Sequence, residues 1–280
     1  MPTFLPDIID IVRQALAEDI GTGDMTTLLT VPESAVAMGS LLAKQAGVVA
    51  GLPVAAQVFA QVDPALAIEF TAEEGQYVEA GETLMAVRGS ARSILTAERV
   101  ALNFLQRLSG IATKTARFVA LVEGNKARIV DTRKTTPGLR ALEKYAVRVG
   151  GGFNHRFGLY DAILIKDNHI QAAGGITPAV QAAYAQAPHT MTVTVECDTL
   201  AQVEEAIAAG VDIVLLDNMS LAMLREAVEM LDGQAAAEAS GGVNEETVTA
   251  IAQTGVDIIS VGALTHSATA LDISLDLISL

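Results

Sequence analysis

Cysteine is almost missing from this chain: among 280 residues there is one, Cys197. No intrachain disulfide can form, and no cysteine cluster can hold a metal. Positive charge is scarce as well. Lys and Arg number 18 against 33 Asp and Glu, a net charge of −15. A field of that sign does not coat nucleic acid or an anionic lipid surface. Long apolar runs are absent too. No stretch approaches about 18 uncharged apolar residues without Gly or Pro breaks, so no transmembrane helix is predicted. The opening residues, MPTFLPDIIDIVRQALAED, carry acids early and lack the basic start of a signal peptide. Together these absences predict a cytoplasmic protein that partners neither nucleic acid nor membrane.

What is present is core material. Hydrophobic residues make up 51% and charged residues 18%, which excludes a disordered chain. The length fits one large or two unequal domains. Residues 7–18 place Ile8, Ile9, Val12, Ala15 and Leu16 at helical spacing, and 18–27 (EDIGTGDMTT) has the composition of a loop. From 35 to 90, short apolar runs broken by Gly and Pro suggest strands. Residues 69–89 alternate like a hairpin, with Gly75 and Gly81 at turns. Residues 91–123 have the apolar period of a long helix.

From 128 the rhythm changes to short β-rich runs alternating with helical segments, six times over. Near-continuous apolar strands between helices imply a parallel sheet covered on both faces. A weak echo, AIAAGVDIVLLDN (206–218) against AIAQTGVDIISVGA (250–263), sets Gly210 and Gly255 in register 45 residues apart. That favours a (β/α) barrel over a doubly wound sheet. Six strands are two short of a closed barrel. The expected fold is therefore α/β, with an N-terminal α/β domain over 1–115 and an open, incomplete barrel of about six strands over 116–265. The tail, 266–280, is expected to pack back onto the first domain.

The scarce positive charge is concentrated. Residues 128–166 hold eight of the 18 Lys and Arg, with only Asp131, Glu143 and Asp161 as acids, and beyond Lys166 the only Lys or Arg is Arg225. A charge run usually marks a solvated face. This one is interleaved with Gly, Asn154 and His155, and Arg forks match carboxylate and phosphate oxygens, so it points to a small-anion site. Barrel ligands meet the C-terminal strand ends. Here every such end is polar, charged or Gly: Asp131–Lys134, Lys166–His169, Glu196–Asp198, Asp217–Asn218, Ser240–Gly242 and Gly262–Ala263. One or two could be helix caps; six together favour a single site. The small loops after the last two strands, with Gly241, Gly242 and Gly262, suit a phosphate. Glu196 and Asp217, on adjacent strands, could bind Mg²⁺ through retained waters, hold ribose hydroxyls, act as an acid/base pair, or cap helices.

The run DTRKTTPGLRALEKYAVRVGGGFNHRFGLYDAILIKDNHI (131–170) resembles the signature of the quinolinate phosphoribosyltransferase family, type II phosphoribosyltransferases. EDIGTGDMTT, ERVALNFLQRLSGIAT (98–113), VECDT (195–199), LLDNM (215–219), EASGGV (238–243) and ISVGALTHSATALDISL (259–275) resemble it in the same order. The resemblance implies an N-terminal α/β sandwich and an open barrel. It also implies conversion of quinolinate and phosphoribosyl pyrophosphate, with Mg²⁺, to nicotinate mononucleotide, pyrophosphate and carbon dioxide, in NAD synthesis. It further implies a homodimer, or an oligomer of dimers, in which Arg99 enters the partner's site. By the same resemblance Thr132, Arg133, Lys134, His155, Arg156 and Lys166 face quinolinate, while Glu196 and Asp217 serve ribose and metal. Ser240, Gly241, Gly262 and Ala263 serve phosphate, and Gly242 and Val261 join the substrate-binding set. Lys134, Lys166, Glu196 and Asp217 are the expected catalytic set.

Two rival readings exist. Lys166 at a strand end would suit a Schiff-base aldolase, but that leaves Arg133, Lys134 and Arg156 on the same rim unexplained. GQYVEAGETLMAV (75–87) resembles a lipoyl- or biotinyl-carrier hairpin. Such a carrier needs a Lys at its turn, and the only Lys before residue 114 is Lys44.

Overall fold

A computed structural model describes residues 6–280; the first five residues of the opening segment lie outside it. The chain divides into two compact units. The first comprises residues up to Ala116, Thr136–Gly151 and Ala268–Leu280; the second comprises Arg117–Thr135 and Gly152–Ser267. The segment 136–151, which lies inside the range expected for the barrel, thus belongs to the first unit.

In the first unit, α1 (Ile9–Ile20) buries Val12 and Leu16 and ends at Gly21, φ 53°. α2 (Met25–Thr30) starts inside the expected loop, because the Asp24 carboxylate accepts from the Thr27 amide and caps it. β1 (Val36–Ala43) and β2 (Gly47–Val48) follow. The strand-like texture of 35–90 then fails at α3 (Leu52–Val62). Leu52, Val54, Ala55, Val58 and Phe59 are buried on one face, and Ala56 and Ala60 on the other side keep the run apolar, which masks its period. Pro53 sits in its first turn, and the Glu74 carboxylate accepts from the Gly51 and Leu52 amides at its N-terminus.

β3 (Ala67–Phe70), β4 (Tyr77–Val78) and β5 (Thr83–Ser90) resolve the expected hairpin. β3 pairs antiparallel with β5, while β4 turns aside to pair with β2. Gly75 and Gly81 both take positive φ, at 85° and 95°. α4 (Ala91–Leu121) runs from this unit into the second.

The second unit opens with β6 (Arg128–Val130). α5 (Arg140–Val149) belongs to the first unit, and β7 (Ile163–Ile165) returns to the second. The remaining order is α6 (Asp167–Ala173), α7 (Ile176–Gln186), β8 (Val193–Cys197), α8 (Leu200–Ala209), β9 (Ile213–Asp217), α9 (Leu221–Leu231), β10 (Ala236–Ser240), α10 (Val248–Ala252), β11 (Ile258–Ser260) and α11 (Ala263–His266). Gly210 and Gly255, the echoed pair, sit in left-handed conformation after α8 and α10 (φ 77° and 90°). β12 (Ile273–Ser279) lies antiparallel beside β1, from Ala43↔Ile273 to Ala37↔Ser279.

The first unit's main sheet has the order β12-β1-β5-β3, all antiparallel. α4 lies on it so closely that a Cβ at Gly39 would touch Ile94. The second unit holds the open barrel: six parallel strands in the order β6-β11-β10-β9-β8-β7. β6, first in sequence, pairs with β11, the last, and not with β7. The opening therefore lies between β6 and β7. Residue 153 partly lines it: Phe153 bridges Val130 in parallel, its amide donating to Ile129 O and its carbonyl accepting from the Asp131 amide. Among the described residues no helix is long and apolar enough to cross a membrane.

Candidate active site

The strand order decides where each polar end goes. Going round from the opening, β7 brings Lys166, β8 Glu196, β9 Asp217, β10 Ser240 to Gly242, and β6 Thr132 to Lys134. The 153–156 segment, paired to β6, adds His155 and Arg156 at the other lip. The cations thus flank the opening on both sides, and the carboxylates and glycines occupy the closed wall. These residues line one cavity of about 530 Å³.

Asp131 builds the basic lip. It is fully buried, and its two carboxylate oxygens accept from the His155 amide (2.8 Å) and Asn154 Nδ2 (2.6 Å). His155 Nδ1 in turn accepts from the Arg156 amide at 2.7 Å. Burial, and next the charge of Arg133, hold the Arg156 guanidinium below its ordinary range; Asp161 opposes the shift. Two like charges brought together in a half-buried lip are a receptor for an anion. On the other lip, Lys166 Nζ donates to Glu196 Oε2 at 2.5 Å, and the Lys166 amide donates to His169 Nδ1 at 3.0 Å. An ammonium committed to a carboxylate is not an amine nucleophile, which disfavours the aldolase reading.

On the closed wall Asp217 accepts from Asn218 Nδ2 at 2.6 Å. Asn218 has φ 54°, and its amide donates to Ser240 O. Gly241 (φ 89°) and Gly242 (φ 62°) follow, and a Cβ at Gly241 would strike Asn218. Nothing lies within 4 Å of where a Cβ at Gly242 would stand, which leaves that backbone open to an approaching phosphate.

Most of the lining belongs to the set expected from the sequence: Thr132, Arg133, Lys134, His155, Arg156, Lys166, Glu196, Asp217, Ser240, Gly241 and Gly242. Val261, Gly262 and Ala263 are not part of it. Gly262 instead lies against the aliphatic stem of Lys134 and the ring of His266, where a Cβ would crowd both. Arg99 is exposed on α4, outside the cavity lining of this chain. Leu164, Leu215, Asn218, Glu238 and Ser260 complete the cavity and lie outside the expected set. Glu238 does carry a signal: two residues before Ser240 on one strand, it must share its face.

Among the described residues no three His, Cys, Asp or Glu side chains converge to cage a metal. Glu196 and Asp217 line the same cavity from adjacent strands. Two carboxylates with room for water and substrate oxygens fit the way Mg²⁺ is held beside phosphates.

The family model for the quinolinate phosphoribosyl transferase C-terminal domain matches residues 111–276, and that for its N-terminal domain matches 24–109. The chain belongs to the quinolinate phosphoribosyltransferase family. It is 46% identical to a probable carboxylating nicotinate-nucleotide pyrophosphorylase of Synechocystis, over 99% of this chain and 95% of that one. A carboxylating nicotinate-nucleotide pyrophosphorylase of Mycobacterium leprae is also 46% identical, over 96% of each chain. The crystal structure of NadC from Streptococcus pyogenes matches at a TM-score of 0.96, with 45% identity over the whole of both chains. The open six-stranded barrel and the antiparallel N-terminal sheet are thus the family's fold.

Proposed function

We propose that this chain transfers the phosphoribosyl group of phosphoribosyl pyrophosphate to quinolinate and releases carbon dioxide, giving nicotinate mononucleotide for NAD synthesis. The observation that carries the reading is the divided cavity: cations at both lips, carboxylates and a glycine turn on the closed wall. A planar dianion suits the lips. The ribose 5-phosphate suits the Gly241–Gly242 turn, and ribose hydroxyls suit Glu196 and Asp217.

The pyridine nitrogen attacks the anomeric carbon, and the C–O bond to pyrophosphate breaks with its electron pair leaving on oxygen. Lys134 and Lys166 neutralise charge gathering on the leaving group, while the carboxylates tolerate positive charge on the ribose. The ring nitrogen, now cationic, stabilises the electron pair left on C2 when the adjacent carboxylate departs as carbon dioxide. A proton from solvent then completes the C–H bond. When bound, Mg²⁺ would supply charge neutralisation for the pyrophosphate, and Glu196 and Asp217 are the residues that would hold it. Arg99, exposed on α4, is the residue we assign to a partner subunit's site in a homodimer.

The deciding assay is pyrophosphate release with and without quinolinate, with carbon dioxide counted alongside. One carbon dioxide per mononucleotide is expected. Comparable turnover of nicotinate would overturn the dicarboxylate assignment. In the same assay, Arg99→Ala mixed with Lys166→Ala should regain activity that neither variant has alone, since one hybrid site keeps both residues. No recovery after proven subunit exchange would remove Arg99 from that role.

A further inference from the structure

Glu238 stands out among the cavity's residues. It is 1% exposed, and its Oε1 accepts no hydrogen bond. A buried carboxylate oxygen without a donor is a costly feature that calls for a use. The imidazole nitrogen facing it is Nε2 of His155, 3.5 Å away. That is too long for a good hydrogen bond, and catalytic contacts commonly tighten only when substrate binds.

The His155 ring is already fixed from behind. Its backbone amide is held by Asp131, and its Nδ1 accepts from the Arg156 amide. A ring nitrogen that accepts carries no proton, so the imidazole proton is on Nε2, on the side of Glu238. A second cavity of about 400 Å³ adjoins the first, lined in part by Val130, Thr192 and Thr194. Three side chains line both cavities: His155, Arg156 and Glu238. They form the partition between them.

We propose that Glu238 is a positioning residue for the dicarboxylate lip. Its carboxylate takes the Nε2–H of His155 as the cavity fills, locking the ring and the partition of which Arg156 is part. This rests on the functional reading above. The pair thereby presents quinolinate with a fixed wall instead of an opening into the second cavity.

The test is Glu238→Gln, which keeps the volume and removes the charge that strengthens the bond. KM for quinolinate should rise roughly tenfold, with KM for phosphoribosyl pyrophosphate within about twofold. In a His155→Asn background the same substitution should add nothing, because the partner is gone. Equal effects in both backgrounds would overturn the proposal, as would an unchanged quinolinate KM. A measurement on the wild-type protein stands independently of how the variants fold. Imidazole ¹⁵N shifts with quinolinate bound should show His155 protonated at Nε2 and bare at Nδ1, and the reverse would also overturn it. A wild-type protein that releases no pyrophosphate sinks the functional reading and this inference with it. An active wild type with an indifferent variant sinks this inference alone.

Discussion

The two units put buried charge to different uses. In the first, polar groups are closed on each other. Glu143, fully buried, accepts from Arg107 through Nε and Nη2 and from the Thr136 amide and hydroxyl. Glu74 accepts from two amides and the Tyr145 hydroxyl. In the second, Asp131 is closed in the same way, but other groups face a cavity: Arg156 in the field of Arg133, Glu238 with an undonated oxygen, Asn218 in a left-handed conformation. Satisfied networks rigidify, whereas incompletely satisfied ones await a ligand. A perturbed group is thus a site marker only when its partners fail to close around it; the Glu74 carboxyl is pushed up by burial and marks structure.

The largest test of that contrast is Arg133→Ala. If the basic lip is a receptor for two carboxylates and the bound acid buries the pair, losing one partner costs about 2–5 kcal/mol, or roughly 30- to 5,000-fold in quinolinate affinity. Nicotinate binding should suffer much less. Folding stability should move by less than about 1 kcal/mol, since the residue is exposed at the rim. Titration calorimetry with both acids, beside a urea melt, reads all three. A large stability loss with unchanged quinolinate affinity would mean that the second unit, too, spends its charges on structure.

Much of the contrast is legible in the sequence itself. The concentration of cations in 128–166 and the polar strand ends locate the cavity, because β-rich runs alternating with helices leave few topologies. The position of the opening is not legible. Strand count alone does not say that β6 pairs with β11 and leaves β7 as the far edge. Glu238 escapes a sequence reading because AAEAS resembles a small apolar strand, although period two places it beneath Ser240. α3 escapes because Ala56 and Ala60, on its less buried side, keep the run apolar beyond the buried face and blur the amphipathic signal. The small residues at 261–263, with Gly262, suggest phosphate ligands. Not legible there is that the Lys134 stem passes over Gly262.

A smaller effect is expected from Tyr145→Phe in the first unit. Burial pushes the Glu74 carboxyl up, and the Gly51 amide, the Tyr145 hydroxyl and the Leu52 amide pull it back. With its folded value raised, this group's contribution is complete below the unfolded carboxylate value and is lost as pH rises through the folded one. Removing the hydroxyl raises the folded value further. The variant should therefore lose about 1–3 kcal/mol near neutral pH and less near pH 4.5. Urea melts at the two pH values check the sign. A penalty that shrinks towards neutral pH would show that Glu74 is not held as a closed charge, and the contrast between units would lose one of its two structural examples.

The smallest expected effect is none at all, and it tests how sharply one strand separates the two uses. On β8, Glu196 turns to the cavity and the next residue, Cys197, is fully buried in the core. Burial first, and then the charges of Asp198, Glu205 and Glu196, push the Cys197 thiol up to about 12. At pH 8 that leaves a thiolate fraction on the order of one in ten thousand, and alkylation proceeds through the thiolate. Native protein should therefore show no carboxamidomethylation by iodoacetamide over an hour, with full labelling in denaturant, read by intact mass. Quinolinate and phosphoribosyl pyrophosphate should change neither result, because the side chain faces away from where they bind. Labelling of the folded protein that substrates suppress would place Cys197 on the cavity side, and the alternation assigning Glu196 to the site would have to be reversed.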